Sequence, residues 1–271
     1  HFCHYCDYSI PAPSICPACT SPAMELLGRG TERLEEEVQT LFPMARVDRL
    51  DRDTTRGRGG HARVLKKVEA GELDILIGTQ MIAKGHDFPG VTLVGVVSAD
   101  ASLNLPDFRS AERTFQLVSQ VMGRAGRGEL PGRVVIQSLA PDHYAIVRAA
   151  DHDYSGFCTE ELAFRRELGY PPFAFLAGIS LSATSASAVE KGAEEAAALL
   201  RETKRELRSR VEILGPAPAP LTKVRGRFRW QILLKCATRT DLHRVLKLFR
   251  ERLRLAAVVR VAVDVDPLDM L

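Results

Sequence analysis

Apolar and polar residues alternate along the first half of the chain with two different periods. Leu34, Val38 and Leu41 share one face of a helix predicted over 31–42, which starts at a threonine and carries a run of acids in its first turns. A strand follows at 45–50, then a Gly- and Arg-rich loop (51–60), then a second amphipathic helix bearing Leu65 and Val68. The short runs Asp74-Ile-Leu-Ile-Gly78 and 91–97 are mostly apolar, as in strands buried within parallel sheets. A long helix over 110–122 and a strand over 133–137 continue the series. Strands alternating with helices predict an open α/β sheet.

The pattern changes after about residue 150. A helix over 154–168 stops at Gly169-Tyr-Pro-Pro172, which cannot continue it. A strand (175–181), an Ala-rich helix (186–208) and a brief strand (211–214) come next. A Pro-rich loop (215–220) leads to a strand at 229–235, a helix at 240–253 and a last strand at 258–265. The order βαββαβ predicts a ferredoxin-like two-layer α+β domain, a topology that hosts many functions.

A length of 271 residues fits two domains and an appended module. The chain opens at His1, with a cysteine motif from the third residue, so a C-terminal portion of a longer protein is expected. There is no run of 18 apolar residues and no signal-peptide pattern, so a membrane span is not expected and a cytoplasmic location is. The net charge of +3 hides an asymmetry. Residues 201–260 hold 17 Lys and Arg against 5 Asp and Glu, which leaves the rest of the chain at −9. Such a segment points to an anionic partner.

Four of the six cysteines form Cys3-x-x-Cys6 and Cys16-x-x-Cys19. Each pair turns tightly enough to aim two thiolates at one ion, and two pairs make a closed tetrahedral zinc site of structural type. Disulfides are the rival reading, disfavoured for a chain without secretory features. Cys158 and Cys236 read as small core residues.

Two loops carry the central signal. Gly78-Thr-Gln-Met-Ile-Ala-Lys-Gly-His-Asp-Phe-Pro89 lies between two apolar strands, and Gln120-Val-Met-Gly-Arg-Ala-Gly-Arg127 ends a long helix about 35 residues on. Ligands of open α/β sheets sit beyond the C-terminal ends of the strands, where both loops are expected. Two arginines three residues apart, spaced by small residues, suit a polyphosphate. His61 and His86 have no evident acid or nucleophile beside them and read as loop residues.

These loops resemble motifs V and VI of superfamily-two helicases. The wider text resembles the PriA family of primosomal replication-restart helicases: Gly30-Thr-Glu32, Asp51-Arg-Asp-Thr54, Ile77-Gly-Thr-Gln-Met81, Lys84-Gly-His-Asp-Phe-Pro89, Asp107-Phe-Arg109 with Glu112-Arg113, Gln120 to Arg127, Tyr170-Pro-Pro-Phe173, Arg229-Trp-Gln-Ile232 and Asp264-Val-Asp-Pro267. The resemblance implies a partial zinc-binding module (1–28), a partial second RecA-like helicase lobe (29–150) and a basic C-terminal DNA- and protein-binding domain (151–271). It implies an ATP-dependent 3′ to 5′ DNA helicase that recognises stalled or branched forks and reloads the replication machinery. ATP and Mg²⁺ would act in the full-length protein, with Arg127 as arginine finger and Arg124 and Gln120 lining the cleft. Gly85 and Asp87 would lie by the nucleotide, and Thr79, Gln80 and Lys84 by DNA. The family's eight cysteines hold two zinc ions. Cys3, Cys6, Cys16 and Cys19 therefore either share one ion or pair with cysteines not in this chain.

No Gly-x-x-x-x-Gly-Lys-Ser/Thr occurs, so the phosphate cradle is expected on a first lobe outside this chain. In Lys223-Val-Arg-Gly-Arg-Phe-Arg-Trp230, strand alternation puts Arg225, Arg227 and Arg229 on one face, toward phosphates or an acidic tail, with Phe228 and Trp230 in the core. The expected partners are branched and single-stranded DNA, the acidic tail of single-stranded DNA-binding protein and other primosome proteins. A non-catalytic fork-binding scaffold is the alternative. A branch-migration or RNA motor is disfavoured by the cysteine knuckles and the basic domain.

Overall fold

A computed structural model of the chain describes residues 15, 30–51, 60–79, 90–126 and 131–270. The elements run α1 (Thr31–Leu41), β1 (Val47–Leu50), α2 (Gly60–Glu69), β2 (Ile75–Gly78), β3 (Leu93–Val96), α3 (Asp100–Leu103), α4 (Ser110–Met122), β4 (Arg133–Ile136), α5 (Tyr144–Ala150), α6 (Tyr154–Leu168), β5 (Phe175–Ala183), α7 (Ala186–Glu206), β6 (Glu212–Val224), β7 (Arg227–Cys236), α8 (Arg239–Arg252) and β8 (Arg260–Val265). They fall into two compact units. One holds residues 15–105 and 109–159, the other 106–108 and everything from 160 onward. Among the described residues no helix is long and apolar enough to cross a membrane.

In the first unit β1 pairs with β2 and β3 with β4, both parallel. Among the described residues these are two two-stranded ladders, not joined into the single open sheet that the sequence predicts. Each strand has four residues and so supplies few ladder bonds. Asp74 ties the entrances of β1 and β2. It accepts from the Arg46 backbone N (2.8 Å), Nε (3.0 Å) and Nη2 (2.8 Å), and these bonds hold its carboxyl well below the usual carboxylate range. Behind β3 and β4, α4 and α5 pack through Phe115, Val118, Ala145 and Ala149. Phe157 stacks on Phe115 at 4.2 Å between ring centroids. A buried carboxylate, Asp100, secures the exit of β4: Ser138 Oγ (2.6 Å) and the backbone N–H groups of Leu139 (2.8 Å) and Ala140 (3.3 Å) donate to it.

In the second unit four strands form an antiparallel sheet in the order β6-β7-β5-β8. One face, including Ile179, Leu181, Ile232 and Leu234, packs against Ala193, Ala197 and Leu200 of α7 and Leu242, Val245 and Phe249 of α8. Burial of each large apolar side chain stabilises the fold by roughly 2 kcal/mol. Where the sequence predicts a loop at 215–220, the chain stays extended as the edge strand β6, with register shifts between Leu214 and Ala217 and between Pro218 and Lys223. Proline is tolerated there because an edge strand has one side without ladder bonds. Cys236 is buried and Cys158 half-buried, both as free thiols.

The Asp107-Phe108 and Tyr170-Pro-Pro-Phe173 stretches meet within this unit. Phe108 stacks flat on Tyr170 (5.2 Å, 7°), with Arg165 over Phe108 at 5.1 Å and Lys235 over Tyr170 at 4.6 Å. Asp107 Oδ2 accepts from the Met270 backbone N at 3.2 Å. A cation at each end of a ring pair offsets part of the cost of half-burying the charges.

Candidate functional site

Helix α4 positions the second loop. Phe115 and Val118 point into the core, which leaves Gln120 exposed one turn before half-buried Arg124. The helix ends at Gly123, whose N–H still reaches Ser119 O (3.2 Å), while Arg124 N reaches Val121 O (3.0 Å). The chain then turns at Gly126, where φ is +75°. Gly126 N donates to Val91 O (3.1 Å), and Arg133 N to Thr92 O (2.8 Å). The backbone crosses itself here without room for side chains. A Cβ on Gly132 would overlap Gly126 N and Ala125, and one on Gly126 would lie 2.8 Å from Gly132 N. Gly126 thus serves a backbone crossing two residues past Arg124.

That crossing ties the arginine loop to the starting edge of β3 through Val91. For the arginine loop the edge is the starting end of β3 and β4, not the C-terminal end expected. The reason is connectivity. The arginine loop runs from a helix into a strand, so it precedes β4. Thr79 does follow a strand: it is exposed directly after Gly78, the last residue of β2. Gln80, Lys84, Gly85, Asp87 and Arg127 lie outside the described residues, as do Cys3, Cys6, Cys16, Cys19, His86 and the His61 side chain.

The sequence reading missed a polar network beyond β1. Thr31 Oγ1 donates to Asp51 Oδ2 at 2.6 Å, and Arg49 Nε lies 3.2 Å from Glu35 and 3.4 Å from Asp51. Asp51 is buried beside half-buried Arg49. The network ties the Gly30-Thr-Glu32 stretch to the one that starts at Asp51, next to the β2 end that bears Thr79. Its sequence signal was an acid directly after a strand, paired with a threonine at a helix start.

In the C-terminal unit the arginines separate. Strand β7 begins at Arg227, and Arg225-Gly226 forms a two-residue hairpin turn with φ +47° and +76°, so Arg225 does not share the strand's alternation. Arg227 is engaged by its own fold, donating to Ser182 Oγ (3.3 Å), Ser182 O (2.8 Å) and Val258 O (3.3 Å). Arg229 lies on the sheet face away from the helices, while Phe228 and Trp230 pack against the core as expected. Arg244, Lys247 and Arg250 are exposed on α8.

Two family models match the chain: the helicase conserved C-terminal domain over residues 27–129 and the primosomal protein N C-terminal domain over residues 166–268. Replication restart protein PriA of Bacillus subtilis is 44% identical over 99% of the chain, that of Synechocystis 43% over 99%, and that of Haemophilus influenzae 40% over 99%. These alignments cover 33%, 32% and 36% of the relatives, so the chain spans about a third of the length of the curated relatives it matches. With both domain models in order and this identity held from end to end, the chain belongs to the PriA family.

Proposed function

We propose that the chain supplies the second RecA-like lobe and the basic, ferredoxin-like C-terminal domain of an ATP-dependent DNA helicase. The motor moves 3′ to 5′, recognises stalled or branched forks and reloads the replication machinery. The observation that carries this reading is the Gly126–Val91 hydrogen bond, because it ties the arginine loop to the backbone that leads into β3. Beside that crossing Arg124 is half-buried, with Gln120 one helical turn away. A guanidinium fixed before the reaction stabilises developing phosphoryl charge without having to reorganise.

ATP with Mg²⁺ supplies the transferring phosphoryl group when bound. Arg127 and Arg124 donate to its oxygens, Gln120 lines the same wall, and Gly85 and Asp87 lie beside the nucleotide. Thr79, Gln80 and Lys84 face DNA, in keeping with the exposure of Thr79 after β2. The Cys3, Cys6, Cys16 and Cys19 thiolates hold structural Zn²⁺. The basic domain takes DNA and the acidic tail of single-stranded DNA-binding protein, alongside other primosome proteins in the cytoplasm.

The test is a steady-state ATPase assay with and without forked DNA. The 271-residue chain alone is expected to be inactive, since the cradle, magnesium-holding acid and water-orienting residue belong to a first lobe. In the full-length protein, Arg127→Ala should cut turnover by about 10³ or more while nucleotide affinity changes far less. Robust turnover by the chain alone, or full activity of the variant, would refute the assignment.

A further inference from the structure

The strand register of the C-terminal unit places side chains on the sheet face opposite α7 and α8. Ser182 on β5 is paired with Arg229 on β7 and with Arg260 on β8. The next row on that face is Gln231, Ser180 and Ala262, and the third is Leu233, Gly178 and Asp264. Two guanidiniums therefore flank a serine across three strands, at two strand spacings or about 10 Å. Neither the Arg229 nor the Arg260 side chain has a hydrogen bond or ion pair among the described residues. The floor between them is small. A Cβ added at Gly178 would meet nothing within 4 Å, and Ser180 and Ser182 are accessible to solvent.

The same end of the sheet collects further charge. The β6–β7 hairpin turn brings exposed Arg225 there, and Arg227 is pinned across Ser182, whereas Lys223 lies over the Phe228 ring at 4.8 Å on the other face. The acids of this face sit toward the other end, at Asp264 and at Glu212, which lies 3.6 Å from Lys235. The basic run of the sequence thus resolves into a sheet face with positive potential at one end.

We propose that the Arg229–Ser182–Arg260 row is a phosphate-contacting platform for the backbone of duplex DNA. It deepens the reading of the C-terminal domain as a DNA-binding element and rests on that reading. Duplex is favoured over single strands because the platform offers no ring for base stacking: Phe228 and Trp230 are packed against the core on the other side of the sheet. An acidic peptide is disfavoured because the row crosses central strands, away from a free edge, and lacks an apolar anchor pocket. Phosphates need neither. Arg229 and Arg260 donate to phosphate oxygens, and Ser182, whose oxygen already accepts from Arg227, keeps its own O–H to donate.

The experiment measures binding of the 271-residue chain to a fluorescent duplex across a salt series, with single-stranded DNA and poly-glutamate as parallel probes. Arg229→Ala with Arg260→Ala should flatten the salt slope by about 1.8, the loss of two phosphate contacts, so that affinity falls about 12-fold less between 50 and 200 mM salt. Arg229→Lys with Arg260→Lys should restore most of the slope, and both pairs should melt at the parent temperature, because neither side chain has a structural partner. An unchanged slope in the alanine pair, with the parent still binding duplex, overturns the platform and leaves the domain's DNA-binding role standing. A loss confined to single strands or to poly-glutamate overturns the duplex assignment. Absence of duplex binding by the parent chain overturns both the platform and the DNA-binding role.

Discussion

The crossing of Gly126 and Gly132 lends itself to a single-methyl perturbation. In Gly132→Ala the new Cβ would be driven into Gly126 N and Ala125, which are backbone and a short side chain with no flexible end to yield. No positive φ is recorded for Gly132, so the effect is steric, whereas Gly126 at φ +75° adds conformational strain to a Cβ contact at 2.8 Å. Relief requires the strands of the crossing to separate, which breaks the 3.1 Å bond from Gly126 N to Val91 O. Overpacking of this kind costs about 1–3 kcal/mol, and a lost backbone hydrogen bond adds about 1 kcal/mol. Stability of the first unit should therefore fall by about 2–4 kcal/mol, readable by urea denaturation of the chain. The functional effect should be larger in proportion. A displacement of about 1 Å in a positioned catalytic group costs about 10²-fold in rate, so DNA-stimulated ATPase of full-length protein carrying Gly132→Ala should fall by that order with little change in DNA affinity. Parental stability together with parental ATPase would show that the crossing does not position Arg124.

Two further outcomes follow from other sites. Asp100 is held below the ordinary aspartate range, chiefly by the Ser138 hydroxyl and then by the Leu139 N–H. A folded-state value below the unfolded one gives stability that is complete above about pH 4 and is lost as pH falls through the folded value. Asp100→Asn should thus cost about 1–3 kcal/mol at pH 7 and weaken the acid dependence of urea melts, and an acid limb as steep as the parent's would count against this role. Elemental analysis of the purified chain should find zinc that is lost in Cys16→Ser with Cys19→Ser, and metal-free protein with reduced thiols after zinc supplementation would reject the site.

Helix limits were legible where local signals are strong. Ser110–Met122 and Tyr154–Leu168 end where glycine or a Gly-Tyr-Pro-Pro run stops them, as the sequence predicts. Apolar runs marked β2 and β3, because parallel pairing leaves little surface to polar residues. Short α5 (Tyr144–Ala150) went unread: its cap is His143 Nδ1 accepting from Ala145 N, a weak signal in sequence. The edge strand β6 was hidden by Pro216, Pro218 and Pro220, since proline marks loops as readily as edges. At the candidate site, residue types and order were readable, but location was not. The Gly126–Val91 bond spans 35 residues, and no periodicity reports which end of a sheet a helix-to-strand loop will reach. Likewise Arg225 and Arg227 read as equivalents of Arg229 until the hairpin turn claimed one and the Ser182 carbonyl the other.

The prolines of β6 have an effect beyond their own strand. A sheet edge ordinarily offers an incoming chain a row of alternating donors and acceptors, a template for strand addition between molecules. Prolines at every second position, 216, 218 and 220, remove successive N–H groups along one side of the outermost strand, and the register shifts on either side of Pro218 break the even spacing. A second copy of the domain approaching this border meets an uneven edge, in a rhythm it cannot match. The β6 border is thereby a poor template for edge-to-edge pairing between copies of the domain.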